Sequence, residues 1–213
     1  MKSDMKGTVA VLVGIMVASG AMAASIVAGG DAVASKPLQL SLTPSIALHD
    51  RSETIEGLSL GIWSENPQAA LALGIVNGST KESAGLSLGL VNYADRYKGM
   101  SVGILNYADN YKGVQGGLIN YTKQDFVGWQ GGPMFGLLLS VVNYTGGTMN
   151  GFQCGVVNHA GNLIGLQFGV VNHATKVESG VQIGVVNLMP ENEWFTKLPG
   201  ELAPGMVLVN WRF

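Results

Sequence analysis

Charge is scarce in this sequence. Asp, Glu, Lys and Arg make up 12% of its 213 residues, the formal net charge is −2, and like charges never run together for more than two residues. A chain without a basic patch or stripe lacks the electrostatic footprint that nucleic acid or an anionic membrane surface requires, so neither is expected as a partner. Cysteine is almost missing too. The single Cys154 excludes an intramolecular disulfide framework and a cysteine-based zinc site. Proline enrichment and strict collagen spacing are both absent, although there are 31 glycines. What is plentiful is apolar side chains, 47% of the chain, enough for one good-sized domain with a core. Glycine at roughly twice its usual share points to turns or close packing.

The amino-terminal segment reads as an export signal. Lys2 and Lys6 precede an uncharged stretch from Thr8 to Met22, and Ala21-Met22-Ala23 offers small residues where a signal peptidase needs them. Residues 1–23 are therefore expected to be cleaved, and 24–36 to form an unstructured lead-in. The apolar run is shorter than the ~20 residues of a membrane span. No later segment is apolar for long enough to cross as a helix.

Internal repetition dominates the rest. Gly85-Leu-Ser-Leu-Gly-Leu-Val-Asn92, Gly99-Met-Ser-Val-Gly-Ile-Leu-Asn106 and Gly113-Val-Gln-Gly-Gly-Leu-Ile-Asn120 lie back to back. Units begin at residues 57, 70, 85, 99, 113, 136, 151, 165 and 180, a period of 14 to 15 with one extra segment, expected at 123–135. The recurrent positions, expected to be structural, are Asn77, Asn92, Asn106, Asn120, Asn143, Asn158, Asn172 and Asn187, with Gly89, Gly103, Gly117, Gly155, Gly169 and Gly184.

Each unit alternates as a strand does, and its glycines, Val and Ile exclude helix. Leu166, Phe168, Val170 and Asn172 share one face, expected to be buried. Gly165, Gln167, Gly169, Val171 and His173 share the other, expected to lie flat and outward. Charged residues gather in pieces such as Ala94-Asp-Arg-Tyr-Lys98, which read as solvated turns.

Two all-β architectures accommodate a one-strand repeat. A β-solenoid stacks equivalent residues about 4.8 Å apart, gives the recurrent Asn a role as a ladder of side-chain amides, and tolerates a mixture of 14 and 15. An up-and-down outer-membrane barrel needs turn lengths that alternate with a double period and an outward apolar band of about 25 Å, and neither is visible. The carboxyl-terminal alternation of Val207, Val209, Trp211 and Phe213 resembles the closing strand of such barrels. The solenoid is the expected fold, with the barrel, as a small pore, its alternative. A single repeat domain then covers 37–213, with repeats at 57–188 and a cap at 189–213 carrying Trp194 and Phe195.

Gly151-Phe-Gln-Cys-Gly-Val-Val-Asn158, Gly165-Leu-Gln-Phe-Gly-Val-Val-Asn172 and Gly180-Val-Gln-Ile-Gly-Val-Val-Asn187 carry the full pattern Gly-x-Gln-x-Gly-x-x-Asn. This resembles a family of bacterial surface-repeat proteins with tandem copies of that unit behind a signal peptide. The resemblance spans about 57–188 and implies an envelope or surface location; it brings no catalytic residues.

Residues that could carry chemistry all have a plainer reading. His159 and His173 lie one repeat apart, but sister units place Tyr93, Tyr107, Tyr121 and Tyr144 there and no third metal ligand is in evidence. Ser59, Ser87 and Ser101 stand where other units use Gln, so they are not nucleophiles. Asp95 and Asp109 are equivalent turn residues. Cys154 shares its position with Phe168 and Ile183 and is expected to be a small core hydrophobe. The expectation is a non-enzymatic envelope or cell-surface protein without cofactor or metal. Its repetitive β face would meet a protein, glycan or other envelope partner, and association with the outer membrane fits the same reading.

Overall fold

The computed structural model describes residues 35–132 and 140–213. The signal peptide, all but the end of the lead-in, and positions 133–135 of the extra segment lie outside the described residues. The strands are β1 (Lys36–Thr43), β2 (Ile46–Ala47), β3 (Ile55–Glu65), β4 (Leu71–Leu88), β5 (Val91–Val102), β6 (Leu105–Gly116), β7 (Ile119–Thr122), β8 (Phe126–Gly131), β9 (Ser140–Leu188) and β10 (Gly205–Arg212). No helix occurs among the described residues.

The strands stack as a β-solenoid. Neighbours run parallel and in register one repeat apart: Asn92 pairs with Asn106, Gly99 with Gly113, Tyr107 with Tyr121. The sheet runs from β10 through β9, β7, β6, β5, β4 and β3 to β1 without closing on itself. Parallel neighbours and an open sheet overturn the barrel alternative, since an up-and-down barrel needs antiparallel neighbours and no edge. Several strands outlast one repeat because the chain stays extended around its corners; β9 alone covers 49 residues.

Corners explain the first glycine of most of the units. Gly99 sits at φ 141, a conformation costly for any residue with a Cβ, and Gly85, Gly113, Gly151 and Gly165 repeat it. The resulting coil makes the alternation skip at each corner, and this decides what lies inside. Gln167 and Asn172 are fully buried, whereas Phe168 and Val170 are each 45% exposed. The expected polarity is therefore inverted from Leu166 to Val170, while Asn172, beyond the corner, is buried as expected. Coils of 14 residues enclose a narrow lumen, and Gln, Asn, Ala and one larger residue per coil fill it. Leu, Val, Ile and Phe at the second, fourth and sixth positions point outward.

Two more expectations change with the register. The apolar part of the lumen is the stack Tyr97, Tyr111, Phe126, Met149, Leu163 and Val177, with Ala94, Ala108, Ala160 and Ala174 beside it. These residues lie in the pieces read as turns; only their neighbours Asp95, Arg96 and Lys98 are exposed. The described part of the extra segment, residues 123–132, is built into the stack. Gly128 pairs with Gly113 and Gly151, Phe126 is fully buried and Gln130 lies in the lumen, so residues 126–131 form part of a coil. The extra length falls between Gly131 and Ser140.

At the amino-terminal end, β1 adds a rung to β3, and Gln39 takes the lumen position that Ser59 holds in the next coil. His49 and Asn66 close over it: the Gln39 amide donates to the His49 carbonyl at 2.9 Å and to Asn66 Oδ1 at 2.8 Å. At the other end, β10 reverses and pairs antiparallel with the last coil, Val209 opposite Ile183 and Trp211 opposite Val181. A reversed strand cannot template another parallel coil, so stacking stops there.

Candidate interaction surface

Two amide ladders fix the coils on one another. Asn77, Asn92, Asn106, Asn120, Asn143, Asn158 and Asn172 each donate from Nδ2 to Oδ1 of the Asn in the following coil, at 2.8–3.0 Å. Most of these Nδ2 groups also donate to a backbone carbonyl, as Asn158 does to Phe168 at 2.9 Å and Asn172 to Ile183 at 3.0 Å. A carbonyl partner can only face the nitrogen, so it sets the orientation of these rungs, and the ladder bonds carry it to Asn143. Gln130, Gln153, Gln167 and Gln182 donate the other way, each Nε2 to Oε1 of the preceding Gln at 2.7–2.8 Å. Within each ladder the aligned dipoles polarise one another, and the opposite sense of the two ladders offsets their sum.

The second glycine of the unit makes room for the Asn ladder. A Cβ on Gly89, Gly103, Gly117, Gly155, Gly169 or Gly184 would stand 2.6 Å from the Nδ2 of Asn77, Asn92, Asn106, Asn143, Asn158 or Asn172, respectively. All the Asn and Gly positions expected to recur structurally thus meet at one edge of the lumen. Ser140 replaces this glycine in one coil and turns its hydroxyl to the Gly117 carbonyl at 2.6 Å.

What remains for the outside is an apolar side. Leu86, Leu88 and Leu90 in one coil correspond to Met100, Val102 and Ile104 in the next, and to Leu166, Phe168 and Val170 further along. Among the described residues, no Asp, Glu, Lys or Arg occupies these positions from Leu58 to Val185. Cys154 lies on this side, half-buried, and not in the core as expected; burial raises its thiol pKa. Ser59, Ser87 and Ser101 move the opposite way, into the lumen, where Ser87 donates to Asn92 Oδ1 at 2.7 Å.

Around the next corner runs a ladder of rings. Tyr107, Tyr121, Tyr144, His159 and His173 stack at centroid spacings of 4.6–5.4 Å and interplanar angles of 5–13°. Nδ1 of His159 lies 2.9 Å from Nδ1 of His173, so one ring donates and the other accepts. Burial, then the neighbouring His173, lowers the His159 pKa. Tyr93 stands apart from this row. It accepts from Trp63 Nε1 at 3.0 Å, donates to the Glu65 carboxylate, and is pushed up to about 12, first by burial and then by that bond. Charges follow on the remaining sides, where Asp95 accepts from the Lys81 backbone at 3.0 Å and Asp109 from the Tyr107 hydroxyl at 2.9 Å. Among the described residues no three of His, Cys, Asp and Glu gather as a metal site.

Sequence reasoning missed the outward apolar side and the lumen stack beneath the charged pieces. A signal for both was present: Gln and Asn lie five residues apart, an odd step that puts both indoors only if a corner intervenes. No family model matches the chain, and no curated protein or solved structure matches it either.

Proposed function

We propose that this chain is an exported, non-enzymatic structural or interaction protein of a bacterial envelope, and that it engages its partner through the apolar side of the solenoid. One observation carries the reading. A parallel sheet side that carries no charge among the described residues from Leu58 to Val185 exposes Phe168, Val170, Ile75, Leu90 and Val185, whereas soluble monomers rarely leave a contiguous apolar patch larger than a few hundred Å2 uncovered. The charged amino-terminal start before an apolar run and the likeness to surface-repeat proteins support the envelope as its location.

Expression of the full chain in a Gram-negative host tests this. The product should lack residues 1–23 and sediment with the envelope, and Phe168→Lys with Val170→Lys should release it, while Lys176→Glu on the charged side should not. Retention in the cytoplasm with an intact amino terminus would overturn the assignment.

A further inference from the structure

The lumen of the earlier coils contains a void whose lining selects its occupant. It lies where Ala72, Ser87 and Ser101 stand at the position that holds Gln in later coils, and it has room for about one water molecule. Four side-chain atoms on its lining residues have no partner among the protein's own groups. Gln68 Oε1 and Asn77 Oδ1 belong to its amino-terminal end, Tyr97 Oη to its middle and Gln115 Nε2 to its carboxyl-terminal end. None of the four residues is more than 5% exposed.

The ladders explain why the gap opens here. Gln130, Gln153, Gln167 and Gln182 each donate from Nε2 to the preceding Gln, but Gln115 begins that run. The residue paired with it in the coil before is Ser101, whose side chain is too short to meet the amide. Asn77 likewise begins the Asn ladder, with Ser64 and not an amide paired before it.

The four atoms differ in what they require. Gln115 Nε2 can only donate, Gln68 Oε1 and Asn77 Oδ1 can only accept, and the Tyr97 hydroxyl does either. A metal cation would need acceptors throughout and an anion would need donors throughout, while an apolar guest would leave all four unpaired. Water both donates and accepts. We infer that this void is a buried water site: the water accepts from Gln115 Nε2, shares a hydrogen bond with Tyr97 Oη and donates towards the acceptors at the amino-terminal end. It stands in for the Gln side chains that Ala72, Ser87 and Ser101 do not supply, and about three hydrogen bonds are what a buried water ordinarily makes.

Magnetic relaxation dispersion of isotope-labelled water oxygen, measured on the exported chain, tests this because it counts water molecules held for longer than the protein takes to tumble. Ala72→Gln adds a Gln to a coil whose facing lumen position holds only Ser83, in register with Tyr97, so it fills the void without displacing a tyrosine. It should lower the count by about one. Tyr97→Phe reads the same site through stability. With water on Tyr97 Oη, the variant loses a hydrogen bond and its thermal midpoint falls, whereas deleting a hydroxyl that bonds to nothing would raise the midpoint. A count unmoved by Ala72→Gln, or a higher midpoint for Tyr97→Phe, overturns the inference. Should Ala72→Gln fail to fold, the midpoint of Tyr97→Phe decides alone.

Discussion

Coils before Gln115 and coils after it fill the same lumen with the large and small positions exchanged. In the earlier ones Ser87 is followed by Tyr97, and Ser101 by Tyr111, whose hydroxyl donates to the Val114 carbonyl at 2.8 Å and lies 3.1 Å from Ser101 Oγ. In the later ones Gln130, Gln153 and Gln167 form the amide ladder, and Met149, Leu163 and Val177 take the tyrosine position. Polar satisfaction is not preserved. Asn77 Oδ1, Tyr97 Oη and Gln115 Nε2 have no hydrogen-bond partner, and an internal void lies among Ala72, Ser87, Tyr97 and Ser101. Where Ala72 and Ser83 are both small, nothing compensates. In the later half Gln182 Oε1, at the last rung of the Gln ladder, is also without a partner, but the rungs before it have neighbours on both sides, which is what an amide lumen gains from stacking.

Removing one rung from each half should give the largest contrast. Asn158→Ala would orphan Asn143 Nδ2, Asn172 Oδ1 and the Phe168 carbonyl. At about 1–3 kcal/mol for each buried group left unpaired, a loss of roughly 4 kcal/mol or more is expected. Asn77→Ala leaves Asn92 Oδ1 bonded to Ser87, so the Leu88 carbonyl alone loses its donor, and about 1–2 kcal/mol should suffice. Urea midpoints measure both; equal losses would show that the ladder is no more important in the later half.

Glycine substitutions come next. A Cβ at Gly169 would stand 2.0 Å from the Gly155 carbonyl oxygen and 2.6 Å from Asn158 Nδ2, so Gly169→Ala should cost about 3 kcal/mol or more by overpacking against the backbone. Gly116→Ala, whose nearest atom is at 3.8 Å, should be close to neutral. A smaller effect should come from exchanging the lumen chemistry itself. Ser101→Gln crowds Tyr111 and Tyr111→Leu leaves a gap, each costing about 1–3 kcal/mol. Together they supply an Oε1 to the unpartnered Gln115 Nε2, so the double variant should recover, with a favourable coupling of about 1–2 kcal/mol in a double-mutant cycle.

Much of this was legible in the chain. The period, the Asn ladder, the second glycine and the solenoid follow from in-register stacking, which makes every rung repeat its residue type. The polarity of the sides was not legible from alternation, because counting by twos through Phe168, Val170 and Asn172 passes a corner without noticing it. The habit of placing Leu and Phe indoors presumes an interior wide enough for them. A coil of 14 residues encloses one layer of side chains, and stacked amides bond along it where stacked leucines would not. Variation was the overlooked cue: Asn158, Asn172 and Asn187 never change, while Trp129, Phe152, Leu166 and Val181 exchange freely at an outward position.

The ring ladder offers the smallest and most local test of the two halves, since tyrosines occupy its earlier rungs and histidines its last two. His159 has its pKa lowered, chiefly by burial, with a contribution from His173. In the unfolded chain a histidine titrates near 6.5, so on acidification the unfolded state takes up its proton first. Stability from neutral His159 is therefore fully present above about pH 6.5 and is lost as pH falls through that value. The thermal midpoint should fall modestly between about pH 7.5 and 5.5, a range above ordinary carboxylate titration. Replacing both with tyrosine, the residue the sister coils use, should remove that fall and leave the neutral-pH midpoint nearly unchanged. A slope that survives the double replacement would place the titrating group elsewhere, and the stacked rings would then respond to acid alike in both halves.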